Sequence, residues 1–251
     1  MPLMRPLLFA MLLAFGACAQ AGKGGFQGVG DSGITLVDSD TSHPPPDAFV
    51  SHIDAPPNMM TKTLDENSND TIDLAHSLAC SSNLNNVPQY TLANSYYRVF
   101  DPSQFGITTD FHVSQVTFQV LKATPGAGVT VTLKVGTYTG SLVGATLDTA
   151  SMAAVATNAA VQVPHIASGG TGGTVNQAIT ATIPAGMKLF TEVDVPELPD
   201  GQFFYFGANT ATDTLPSYIL APDCMVNDPQ TIKSLNGNNQ LAALMTVTGT
   251  Y

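Results

Sequence analysis

Glu192, Asp194, Glu197 and Asp200 are spaced to do chemistry together. The first two share one side of a strand-like run, and the other two follow in a Pro-containing loop. Carboxylates converging from a strand end and its loop suit a hard cation, calcium above all. The competing use is a charged strand face that discourages edge pairing. A second candidate is Tyr96-Tyr97-Arg98, with Asp101 close behind. A guanidinium among aromatic rings either stacks and pairs internally, with a carboxylate such as Asp223, or belongs to a ligand platform. Asp65 to Asp73 imitates a calcium loop. Asp70 stands where such a loop needs Gly and His76 where it needs a bidentate Glu, which excludes an EF-hand.

No catalytic motif accompanies these residues. The five histidines, at 43, 52, 76, 112 and 165, lack the spacing that puts two imidazoles on one metal. His112 and His165 read as strand-surface residues. There is no G-x-S-x-G elbow. Gly169-Gly-Thr-Gly-Gly173 precedes a strand-like segment, so it reads as a hairpin loop; a phosphate cradle would need a helix after the glycines. Phe203-Phe-Tyr-Phe206 alternates across a strand. It therefore puts aromatic rings on an outer sheet face that must be covered or bind something.

The elements that position these groups are strands. The chain is poor in charge, rich in Thr, Ala, Val, Gly and Asn, and has no Trp. That composition fits an all-β protein with polar, uncharged faces. The net charge of -11, with eight basic residues, argues against a nucleic-acid partner. It also argues against adsorption to anionic lipid. Val113–Leu121 and Val129–Val135 show the clearest period of two. Further strands are expected at 142–147, 161–166, 178–183, 188–195, 203–207, 218–220 and 241–247. Short strands at this spacing, without helices between them, predict an antiparallel β-sandwich of jelly-roll type over residues 80–251.

Ahead of it, residues 1–17 have the build of a signal peptide: Arg5, then an apolar run from Leu7 to Phe15 that is too short to span a bilayer. Gly16-Ala17-Cys18 resembles the lipobox of bacterial lipoproteins, which implies that Cys18 carries the lipid and begins the mature chain. Ala19 follows in place of the Asp associated with inner-membrane retention. The resemblance thus implies an exported protein held by a lipid anchor, at the outer membrane or cell surface. Residues 18–79 read as a disordered, flexible acidic spacer with Gly- and Pro-rich stretches. Within it, Ile72–Leu78 suggests a turn of helix or an irregular lead-in to the domain. Cys80 and Cys224 remain as a pair bound for an oxidising compartment, and a disulfide between them is expected.

Asn94-Ser-Tyr-Tyr-Arg-Val-Phe100, Phe105-Gly-Ile107, Phe203-Phe-Tyr-Phe-Gly-Ala-Asn209 and Pro216 to Cys224 occur in an order that resembles a β-sandwich accessory domain of bacterial secreted and surface proteins. The resemblance implies fold and compartment and supplies no activity. The expected role is a non-catalytic binding or structural module, with carbohydrate or a surface protein as possible partner. A carbohydrate-active or other extracellular hydrolase and a subunit of an extracellular assembly are the alternatives.

Overall fold

The computed structural model describes residues 59–85, 87–124, 126–235 and 241–251. The signal peptide, Cys18 and the spacer as far as residue 58 lie outside the described residues, as do His43 and His52. The strands are β1 (Thr61–Leu64), β2 (Ser77–Leu78), β3 (Ser81–Leu84), β4 (Val87–Thr91) and β5 (Asn94–Phe100). Then come β6 (Phe111–Thr124), β7 (Val129–Tyr138), β8 (Met152–Val163), β9 (Gly173–Ile183) and β10 (Lys188–Val195). The chain ends with β11 (Phe203–Asn209), β12 (Ser217–Ala221), β13 (Val226–Thr231), the one-turn helix α1 (Ile232–Leu235), β14 (Ala242–Ala243) and β15 (Met245–Thr250).

The pairings are antiparallel and build a sandwich. The first sheet runs β1-β15-β6-β11-β14, with β9 also on β6 and β2 on β11. The second runs β13-β12-β5-β10-β7-β8, and β3 and β4 form a separate hairpin. From β5 onward the chain passes back and forth between the sheets, the jelly-roll-like alternation expected from the sequence. Period two explains the core. Along β6, Phe111, Val113, Val116, Phe118, Val120 and Ala123 are buried. A bulge near Ser114 keeps the two halves of this strand on one face. Leu189, Val193 and Val195 of β10 pack against them from the second sheet. Phe204 and Phe206 face the same core, beside Tyr96.

The outer face of the second sheet has a smaller apolar core of its own. Tyr97, Val99, Tyr138, Phe190 and Tyr218 gather there around Leu147. Leu147 belongs to the connection between β7 and β8, which lies across these rings. Tyr138 pins that loop by donating its hydroxyl to the Ser141 carbonyl at 3.0 Å. The loop also pairs with β13, through Leu147 N–H to Pro229 O at 2.9 Å.

Three expectations need correction. The run 142–147 is this covering loop and not a strand: Leu142 and Leu147 pack inward while Val143 is exposed. The strand β13 was hidden in the sequence by Pro229, which an edge strand tolerates because one side of its backbone needs no donor. The sandwich also includes residues ahead of 80, where the spacer was expected. β1 pairs with β15 from Thr61↔Thr250 to Leu64↔Val247, and Leu64 is fully buried. Between β1 and β2 the chain makes a strap of local turns. The side chains of Asp65, Asn69 and Asp73 each accept the N–H two residues on. Ile72–Leu78 is the irregular lead-in, with a turn at Leu74-Ala75 and no helix.

The expected disulfide is present. Cys80 and Cys224 are bonded with Cα atoms 6.0 Å apart, closing 144 residues of chain. Asn94 clamps the same point, accepting from Cys80 N–H at 2.8 Å and donating to Leu92 O at 2.6 Å.

Candidate binding face

The expected cation quartet does not assemble. Glu192 and Asp194 do share the outer side of β10, but each is occupied. Glu192 accepts from Lys134 Nζ at 2.9 Å and from the Tyr97 hydroxyl at 3.3 Å. Asp194 accepts from the Ser95 hydroxyl at 3.0 Å. Glu197 and Asp200 lie exposed in the following loop. Among the described residues no three His, Cys, Asp or Glu side chains are grouped to hold a metal ion. The cross-strand register places Lys134 opposite Glu192, and that cation takes the place a metal would need.

Tyr96, Tyr97 and Arg98 do not form an accessible platform either. β5 lies inside its sheet, and every residue of it is buried. Tyr96 points between the sheets and donates to Leu78 O at 2.7 Å. Tyr97 points outward into the smaller core, where burial and the Glu192 charge push its hydroxyl pKa up. Tyr218 beside it is pushed up to about 12, mainly by burial.

Arg98 is fully buried and anchors a charged network. Its guanidinium donates to Asn67 Oδ1 at 2.9 Å and to Asp213 Oδ2 at 3.4 Å. Lys233 closes on the other oxygen of Asp213. Glu66, also buried, meets the Thr214 hydroxyl. The partner of Arg98 is therefore Asp213, whereas Asp223 sits exposed in a short turn before β13. Burial pulls the guanidinium pKa down, and Asp213 and Glu66 oppose that. Asn67 and Asp213 also form a backbone bridge, so the network ties the strap to the loop before β12. Glu66 Oε1, Asn67 Nδ2 and Arg98 Nε find no partner among the described residues.

Acid should tighten this strap. Burial, then the neighbouring Asp65, push Asp70 up to about 6. Burial also raises Glu66. A carboxyl that titrates higher in the folded chain than in the unfolded one binds its proton more tightly when folded. Its stabilising contribution is complete below the ordinary carboxyl value and is lost as pH rises through about 6. Amide exchange of residues 66–73, corrected for intrinsic rates, should thus show more protection at about pH 5 than at about pH 7.5. Asp70→Asn should flatten that dependence. Equal protection at both pH values in the wild type would contradict it.

A cavity of about 270 Å³ lies under the loop between β7 and β8, with Asp148 and Asp228 both in its wall. Asp148 is already engaged: its oxygens accept from Ala150 N–H at 3.0 Å and from the Ser151 hydroxyl at 2.7 Å. Asp148 thus caps the short turn that leads into β8. The aromatic outer residues of β11 are covered as well. Lys122 Nζ sits 3.8 Å above the Phe203 ring, and Tyr205 stands edge-on to Phe203.

The outer face of the first sheet is half-buried to exposed, and the strap borders it at Gln119, whose amide donates to Asp70 O at 3.2 Å. The sheet register aligns uncharged polar residues in rows across four strands. One row is Thr61, Thr250, His112 and Thr182. The next is Thr63, Thr248, Gln115 and Ala178, and a third is Thr246, Thr117 and Asn176. Gln119 opposite Thr174 completes the grid. Cross-strand bonds hold it: Thr63 to Thr248 at 2.8 Å, Thr117 to Asn176 at 2.8 Å, and Thr174 to Gln119 at 3.1 Å. His112 is indeed a strand-surface residue, 3.1 Å from the Thr182 hydroxyl.

No formally charged side chain projects from these rows, although the chain carries 19 acids and 8 bases. The spacing is set by sheet geometry, roughly 4.8 Å between strands and roughly 6.7 Å between alternate residues. The sequence signal for this face is the alternation in Thr61-Lys-Thr63, Gln115-Val-Thr117, Thr174-Val-Asn176 and Thr246-Val-Thr248. Each run reads only as a half-buried strand until the topology sets the four side by side. Comparison with protein-family profiles, curated proteins and solved structures returns no match.

Proposed function

We propose that this chain is a non-catalytic, exported lipoprotein whose sandwich presents the uncharged outer face of the first sheet as its binding surface. The observation that carries this reading is the contrast between the two outer faces. On one, an apolar loop covers an aromatic cluster beside exposed Thr130 and Gln162, while the other offers continuous cross-strand rows of half-buried to exposed hydroxyls and amides. The ionisable groups that do gather, around Arg98 and Glu192, are consumed in holding the strap and the sheet. A disulfide across 144 residues suits an oxidising compartment. The resemblance to lipoproteins and to surface-protein accessory domains agrees with that address.

Membrane attachment is assigned to Cys18. Among the described residues no helix is long and apolar enough to cross a bilayer. Protein extracted from membranes should give an intact mass for a chain that begins at Cys18 and bears acyl chains. Cys18→Ala should move it to the soluble fraction. A mature chain starting elsewhere, without lipid, would overturn the assignment.

A further inference from the structure

We infer that the partner of this face is a neutral polysaccharide, an assignment that rests on the binding-module reading above. Charge narrows the choice first. A molecule of net charge -11 repels nucleic acid and anionic lipid, and the rows offer no cation to overcome that. The rows carry no formal anion of their own, and Asp70 at their edge is a single carboxylate, too little to hold a basic partner.

Apolar content narrows it further. Protein interfaces have buried centres rich in aromatic and large apolar side chains. Among the described residues the exposed large hydrophobics, such as Leu84, Val143 and Met225, lie outside the rows. A small ligand would need a pocket of roughly 300 Å³ or more, whereas the hollow that Asp70 forms with Thr117, Gln119 and Thr246 on this face holds only about 40 Å³.

What the grid does offer is a dense set of groups that both donate and accept. Each threonine hydroxyl has one donor and two lone pairs, and Gln115, Asn176 and Gln119 add amides. Each cross-strand bond uses only part of that capacity. The same pairing of donor and acceptor on one oxygen characterises sugar hydroxyls, and the grid repeats on the scale of a hexose ring. The sheet twists from strand to strand, so a bendable chain follows it better than a rigid crystalline lattice does. Because sugar hydroxyls only replace water at these groups, one module binds weakly, and retention grows with the number of copies displayed on a surface.

The test uses the full mature chain, displayed at high density on lipid vesicles, with insoluble β-1,4-glucan, chitin and α-glucan granules as probes. Alginate and bare anionic vesicles are the charged controls. Retention on at least one neutral polymer is expected, unchanged at about 0.5 M salt because no ion pairs form. Thr117→Glu/Thr248→Glu should weaken it by roughly tenfold or more, with the native β signal retained and only a small loss of thermal stability from the two cross-strand bonds removed. Asp228→Asn should change nothing. No retention on any neutral polymer, or retention that the double variant leaves intact, would overturn the inference. Capture by a protein or by vesicles that the double variant abolishes would also overturn it, while leaving the binding-module reading in place. If the double variant alters no interaction of the protein with its native envelope, both fail.

Discussion

Arg98→Met should lower the thermal midpoint by about 6–20 °C, among the largest effects expected of a single substitution in this protein. The guanidinium is fully buried, and its removal strands the carboxylate of Asp213, whose side chain is 1 % exposed, and that of Glu66. Breaking a buried pair by removing one partner costs about 3–5 kcal/mol, because a desolvated charge is left behind. For a domain of this size each kcal/mol moves the midpoint by about 2–4 °C. Lys233 remains on Asp213 and partly compensates, which places the loss toward the lower end. Adding Asp213→Asn to Arg98→Met should cost much less than Asp213→Asn alone, since the buried Arg98–Asp213 pair is then removed whole and only Glu66 stays behind. Lys134→Ala, which removes a partly exposed cation from Glu192, should cost less than about 1 kcal/mol. A loss below about 2 °C for Arg98→Met would show that the network does not hold the strap.

Loss of the Cys80–Cys224 bond should be comparable. The bridge closes 144 residues, and on chain-entropy grounds a loop of that length contributes roughly 4–5 kcal/mol by restricting the unfolded chain. Cys80→Ser/Cys224→Ser should therefore lower the midpoint by about 8–20 °C. The native β signal should persist, because Asn94 still fixes the backbone at residue 80. The Cα separation of 6.0 Å is ordinary for a disulfide, so the bond needs no distortion of the strands it joins. If reduction left the unfolding midpoint of the wild type unchanged, the bond would not be a stability element.

Local alternation made the strands legible in the sequence. Val129 to Val135 reads as inward-outward from the residues alone, and β7 carries it out as written. Lys188–Val195 was bounded correctly because Pro184-Ala-Gly186 and Pro196 punctuate it. Legibility failed where tertiary contacts override composition. Residues 59–79 look solvated because they are acidic, yet Arg98 absorbs part of that charge and β15 supplies a strand partner for Thr61–Leu64. Leu142–Leu147 looks like a strand because its apolar residues seal the outer face of a sheet. Arg98 clearly needed a carboxylate, but only the register of β5 beside β12 brings Asp213, rather than Asp223, within reach. The face itself is divided among β1, β6, β9 and β15, as many as 189 positions apart (Thr61 to Thr250), so no local pattern contains it.

The claim that this face, rather than an ionisable cluster, is the working surface is tested most directly by mapping where a polysaccharide touches the chain. Solution NMR of the isotopically labelled mature protein, titrated with soluble fragments of whichever neutral polymer retains it, reports each residue separately. Shift changes should be confined to side chains and amides of 61–63, 112–119, 174–182 and 246–250 and the strap residues that border Gln119, following the cross-strand rows. Changes centred instead on the cavity between Asp148 and Asp228, or on the network around Arg98, would contradict the account.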